Sequence, residues 1–278
     1  MRKWIRHGIV CLAALLPCLL FWQSSRCAGW AEYGVEPLET TSGMGQNAEQ
    51  KVDPKKATYR ILFYGNSHTF GHDLPELIAE MIKSDGSDET AYVEYAGGLG
   101  FLEEAWKHPS TRPKLESLPW THVILQAQKY SQSGKYEYST KEAIEMAQFI
   151  QNLGAKAIFF PEWGQRGKED EGRRVHALHE SIARKSQATV APVGLAWDRA
   201  LEKDLAVKLH AADGNHQTIH GAFLTASVLY ATITGRSPTK ISSKVLKAFR
   251  GKDRETLVAA AEELTRKKYP TDEETSKE

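Results

Sequence analysis

Cysteine is confined to the start of this chain: Cys11, Cys18 and Cys27 are its only three among 278 residues. A disulfide framework, a thiolate zinc site and a cysteine nucleophile are therefore excluded from anything built downstream of them. A charge of one sign is lacking as well, since 36 Lys and Arg stand against 35 Asp and Glu, and no nucleic-acid partner is indicated. There is no Gly-Lys-Ser/Thr phosphate loop. Gly98-Leu99-Gly100 begins like a dinucleotide fingerprint, but Glu103 stands where the third glycine belongs. Nucleotide enzymes are set aside.

What is present begins with Arg2, Lys3 and Arg6 ahead of an apolar run from Ile9 to Trp22 that Pro17 interrupts. This is the layout of a secretory signal. The run is shorter than the roughly 20 apolar residues that cross a bilayer, and proline breaks its helix, so export is expected over a retained anchor. A cut near Cys27, Ala28 or Gly29 removes every cysteine together with Arg2, Lys3, Arg6 and Arg26, leaving the mature chain slightly negative. Stable membrane association after cleavage is not expected. Residues 1–29 thus read as a signal peptide, 30–57 as a flexible linker rich in Thr, Ser, Gly and Gln, 58–268 as one folded domain, and 269–278 as a disordered polar tail.

Within the domain, β-branched and aromatic runs alternate with helical periods. Strands are expected from Tyr59 to Tyr64, Ala91 to Tyr95, His122 to Gln126, Ala155 to Phe160 and Thr189 to Val193. Strand, helix, strand order implies α/β architecture, a parallel sheet with helices on both faces. Asp73 is expected to cap a helix carrying Leu74, Leu77, Ile78, Met81 and Ile82; Ser139 and Glu142 suggest a capping box, and Gly154 a stop. A charged helix beginning near Lys168 is expected to leave His176 and His179 in solvent. The last helices should run from Gly221 to Thr234 and from Glu255 to Lys267.

In an open parallel sheet, ligands bind beyond the carboxyl ends of the strands. The first strand runs into Gly65-Asn66-Ser67-His68-Thr69, where Gly65 permits a tight turn. Taken alone, Ser67 is a turn residue as readily as a nucleophile. Asp213-Gly214-Asn215-His216 precedes a helix, and its spacing lets a carboxylate orient an imidazole. The order Ser67, Asp213, His216 is that of nucleophile, orienter and base in many α/β hydrolases: a serine hydroxyl needs a base, and the base needs a partner to fix its tautomer. Oxyanion donors could come from Ala96-Gly97-Gly98-Leu99-Gly100 and from Gln126-Ala127-Gln128, although plain turns account for the glycines equally well.

Gly65-Asn66-Ser67 after strand one, a Gly-rich turn after strand two, an amide after strand three and Asp213-x-x-His216 before the closing Gly235-Arg-Ser-Pro238 together resemble the SGNH/GDSL hydrolase superfamily, from Thr58 to about Pro238. The resemblance implies a flavodoxin-like three-layer α/β/α sandwich with a mostly parallel sheet. It implies an acyl-enzyme on Ser67, Asp213 and His216 as the relay, and an oxyanion hole from Ser67, Gly98 and Gln126. The chain departs from the pattern at Asn66, where aspartate is common, and at Gln126, where asparagine is usual, with Gln128 as a rival donor. No cofactor or metal is implied. His68/His72 and His216/His220 have i, i+4 metal spacing, but Gln217 replaces the glutamate a zinc protease needs. The expected partner is a small-molecule or carbohydrate ester, acetyl esters foremost; the alternative is an exported glycan-binding module without turnover. Trp163 and Trp197 are open to a core or a sugar-stacking role.

Overall fold

A computed structural model of the chain describes residues 52–204, 206–242, 245 and 252–266. The expected signal peptide, most of the linker and the tail lie outside them. The described residues belong to one compact unit.

Its centre is a five-stranded parallel sheet of β1 (Tyr59–Tyr64), β2 (Ala91–Tyr95), β3 (His122–Leu125), β4 (Lys156–Phe159) and β5 (Thr189–Val190), in the order β2-β1-β3-β4-β5. The central strands read as near-continuous apolar runs because both their faces are covered. Alternation decides which side chain goes where: Ile61 and Phe63 of β1 enter one core, Leu62 and Tyr64 the other.

On the first face lie α2 (Leu74–Ser84), α7 (Val193–Lys203), α8 (Ile219–Thr234) and α9 (Lys252–Arg266); on the second lie α3 (Leu102–Lys107), α4 (Thr111–Glu116), α5 (Lys141–Asn152) and α6 (Glu171–Ser186). This is the three-layer sandwich expected. Burial of Ile78, Met81, Leu224 and Leu229 on one side, and of Met146 and Ile150 on the other, contributes about 1.5–3 kcal/mol per side chain. Helix α8 is apolar all round and buried from Gly221 to Ile233. Its polar side chains are accommodated because Ser227 and Thr232 donate to the carbonyls of Phe223 and Val228 one turn back, both at 2.8 Å.

Several boundaries shift for local reasons. The fifth strand stops at Val190 because Pro192 offers no N–H to a ladder, and α7 starts directly after it. Asp73 does not cap α2: it sits in the left-handed region, φ 50°, and its side chain makes no capping bond. Ser139 and Glu142 do bond each other, Oγ to Oε2 at 2.7 Å, but Ser139 stands two residues ahead of the helix start at Lys141 and the cap position falls to Thr140. His179 is not solvated but fully buried, its Nδ1 2.8 Å from the Val175 carbonyl and its ring edge-on to Phe159.

Candidate active site

The order β2-β1-β3 places the reversal of strand progression at β1 and β3, and the turns leaving those two strands carry the first half of the site. β1 ends at Tyr64, and Ser67 opens the short helix α1 (Ser67–Phe70), with Asn66 as its cap accepting from the His68 N–H at 3.1 Å. Gly65 is required by space: a Cβ there would lie 2.1 Å from Thr69 Oγ1 and 2.5 Å from Gln126 Oε1. Both atoms belong to the prop under the turn. Gln126 Oε1 accepts from the Asn66 N–H at 2.8 Å and the Thr69 hydroxyl at 2.9 Å. A backbone N–H can only donate, which fixes the amide with its oxygen toward the turn.

The second half is a hairpin in which His210 pairs with Gln217, the Ala211 N–H donates to the His216 carbonyl at 2.7 Å, and the Thr218 N–H donates to Leu209 at 2.8 Å. At its tip Asp213 Oδ1 accepts from the N–H groups of Asn215 and His216, at 2.9 and 3.0 Å, and Oδ2 lies 2.5 Å from His216 Nδ1. Burial pushes the Asp213 carboxyl up, but the His216 hydrogen bond and those backbone donors outweigh it and hold the group down to about 2. His216 Nε2 lies 2.8 Å from Ser67 Oγ. An ionised Asp213 accepts from Nδ1–H, so Nε2 is left as the acceptor facing the serine hydroxyl. The arrangement can therefore remove a proton from Ser67 Oγ and stabilise the imidazolium that results.

Gly98 is exposed on the turn after β2, and Tyr95 of that strand donates through its hydroxyl to the Gly65 carbonyl at 2.7 Å. Gln126 lies under the nucleophile turn and not at its surface; it is fully buried, with its side-chain amide beside the buried Glu162 carboxyl. Gln128 is occupied, its nitrogen donating to the carbonyls of Lys129 and Ser139 at 3.0 Å each. Between them Ala127 takes a left-handed conformation, φ 76°, which costs a non-glycine residue about 1 kcal/mol or more and marks this turn as over-determined by its surroundings. Trp163 has no exposed face: it is buried and stacks on Trp197 with ring centres 3.9 Å apart. The histidines with metal spacing separate: His68 stacks on His216, His72 Nε2 lies 3.0 Å from the Gln217 carbonyl, and His220 faces Asp253.

Arg166 and Glu162, and the hydrogen bond made by Trp163, are contributions that carry no mark in the sequence. Arg166 holds the base hairpin, donating through its guanidinium to the carbonyls of His210 and Ala211 at 2.9 and 2.6 Å, while its N–H donates to Gly214 at 2.8 Å. Trp163 Nε1 donates to the Asn215 carbonyl at 2.9 Å. Glu162 is buried near Gln126, and burial foremost pushes its carboxyl up to about 7. No residue spacing announces any of these; a lone Arg in a polar loop carries no signal of the carbonyls it meets.

No family model and no curated protein matches the sequence of this chain. Solved structures do match in shape. A protein from Slackia heliotrinireducens, assigned provisionally to the SGNH hydrolases, aligns at a TM-score of 0.52 and 24% identity over 63% of this chain and 98% of its own. A DUF4886 family protein from Bacteroides uniformis aligns at 0.57 and 14% over 76% and 95%. A catalytic mutant of an acetylxylan esterase from Geobacillus stearothermophilus aligns at 0.50 and 13% over 66% and 97%. With the strand order, the two-sided helical cover and these likenesses together, the chain has the fold of the SGNH/GDSL hydrolases.

Proposed function

We propose that this protein is a serine ester hydrolase working through an acyl-enzyme on Ser67. The observation that carries the reading is the unbroken chain from Ser67 Oγ to His216 Nε2 at 2.8 Å and from His216 Nδ1 to Asp213 Oδ2 at 2.5 Å. His216 takes the Ser67 proton as Oγ attacks the ester carbonyl carbon, and Asp213 stabilises the cation. The backbone N–H groups of Ser67 and Gly98 receive the oxyanion, and Gln126 braces the turn that carries Ser67. His216 then protonates the departing alcohol, and a water activated by the same Nε2 frees the acid.

Short acyl esters of carbohydrate are the proposed substrates, acetyl groups foremost. Four aromatic side chains, Phe70, Phe101, Tyr136 and Tyr138, stand exposed on the segments that follow β1, β2 and β3. They offer stacking faces for sugar rings but no continuous apolar groove for a long acyl chain. The likeness in shape to an acetylxylan esterase points the same way, and the basic and apolar leader supports action outside the cytoplasm. Ser67→Ala and His216→Ala should each lower turnover of nitrophenyl acetate by about 10⁴-fold or more with an unchanged melting temperature. A fluorophosphonate should add its mass to Ser67 alone. Turnover in Ser67→Ala near that of the wild type would end this reading, and a rate rising from acetate to dodecanoate would end its substrate assignment.

A further inference from the structure

The base histidine is not held by hydrogen bonds alone. The His68 ring lies face to face with the His216 ring, centres 5.1 Å apart and planes within 17°. His68 also meets Trp163 edge-on at 5.0 Å. Trp163 stacks on Trp197 at 3.9 Å and 3°, and Trp197 meets His210 edge-on at 5.0 Å. His210 is the residue opposite Gln217 in the hairpin that carries His216. Five rings thus run from the base through the buried interior and return to the opposite strand of the base's own hairpin.

We infer that His68 is a positioning residue for His216, its ring acting as a stacked backstop that fixes the plane of the base imidazole between Asp213 and Ser67. The inference rests on the hydrolase reading of the site. The bonds at Nδ1 and Nε2 set the direction of the axis that joins them, but a tilt of the ring about that axis leaves both bonds nearly intact, and a parallel neighbour opposes the tilt. Misplacement of a reacting group by about 1 Å is worth on the order of 10²-fold in rate.

His68 is suited to the part. Its backbone N–H and its Nδ1 both lie 3.1 Å from Asn66 Oδ1, so its own ring is anchored in the nucleophile turn. Burial first, and the neighbouring His216 second, hold its imidazole down to about 4 against the opposing pull of Asn215 and Asp213. Across neutral pH it therefore stacks as an uncharged ring and sets no cation beside the imidazolium that forms on His216. An aromatic pair of this kind favours its stacked arrangement beyond what area burial alone supplies, which selects one ring orientation.

The test separates ring from polarity. His68→Ala and His68→Gln should each lower kcat by 10- to 100-fold with KM within about twofold, whereas His68→Phe, which keeps a ring, should hold kcat within about threefold of wild type. Wild-type kcat in His68→Ala, or a His68→Phe variant as slow as His68→Ala, would overturn the inference. A second measurement needs no turnover: the His216 ring-proton resonances should be single and ring-current shifted in wild type and His68→Phe, and displaced toward random-coil positions in His68→Gln. Unmoved resonances in His68→Gln would overturn it as well. Absence of turnover in the wild type would instead strike the hydrolase reading, leaving the resonance measurement to decide the role of His68.

Discussion

The two halves of the site are built differently. Ser67 is set by backbone: it follows a central strand within three residues, over a glycine that admits no Cβ, on a prop whose members Thr69 and Gln126 are fully buried. His216 and Asp213 sit at a hairpin tip, the Asp213 side chain 39% exposed, and are held from outside by Arg166, Trp163 and His68. The nucleophile is a property of the sheet; the base is a property of side chains that converge from several loops. Damage to the supports of the first half should therefore cost folding and rate together, and damage to the side chains that brace the second should cost rate with little folding.

The largest expected effect is on the sheet-built half. Gly65→Ala drives a methyl into Thr69 and Gln126, so turnover should fall by more than about 10³-fold and stability by about 3 kcal/mol, read by ester assay and urea unfolding. A soluble, near-native Gly65→Ala enzyme would break the comparison outright. Next is Gln126→Ala, which strips acceptors from the Asn66 N–H and the Thr69 hydroxyl; about 10²-fold in kcat and about 2 kcal/mol are expected to be lost together. A rate loss of that size without loss of stability would make the amide a donor to the oxyanion and no prop.

On the other half, Arg166→Ala releases the His210 and Ala211 carbonyls to solvent. Turnover should drop about 3- to 10-fold while stability changes by about 1 kcal/mol or less. A stability loss as large as that of Gln126→Ala would erase the distinction between the halves.

A residue in neither half gives the smallest effect at neutral pH. Burial holds the His179 imidazole down to about 4 in the folded chain, while an unfolded chain titrates near 6.5. Between those values the unfolded state binds the extra proton, so stability falls as pH drops through that window, by up to about 3 kcal/mol at its lower end. His179→Leu should flatten this acid limb in urea midpoints taken at pH 7 and pH 4.5 and leave turnover at pH 7 unchanged. An unaltered acid limb would place the titrating group elsewhere, His68 and His122 being held down to about 4 in the same way.

How much of this was legible beforehand follows the same division. The strands were readable because β-branched and aromatic runs bounded by turn residues are local signals; β1 and β2 end where the pattern ends. Ser67 was readable because its placement is a matter of the three residues before it, and Asp213 and His216 because they lie in one turn. What the sequence hid is whatever depends on distant convergence. His68 carried only a false metal spacing, Gln126 gave its residue type but not the side of the turn it faces, and Arg166 gave nothing. His179 was misplaced because a helix dense in charge still has one face against the sheet, and the histidine falls on that face.

One feature of α8 bears on how this protein fails under stress. The helix that runs buried from Gly221 to Ile233 is joined to the base hairpin through Thr218, which caps it, and through Gly221, where a side chain would meet Trp197 at 2.5 Å and the Leu209 carbonyl at 2.6 Å. The strand that follows His216 is thus continuous with a helix buried from Gly221 to Ile233, which opposes fraying of the base hairpin from that end. Inactivation by denaturant should then coincide with the collapse of the whole sandwich and not precede it, so that remaining activity counts intact molecules and not loosened ones.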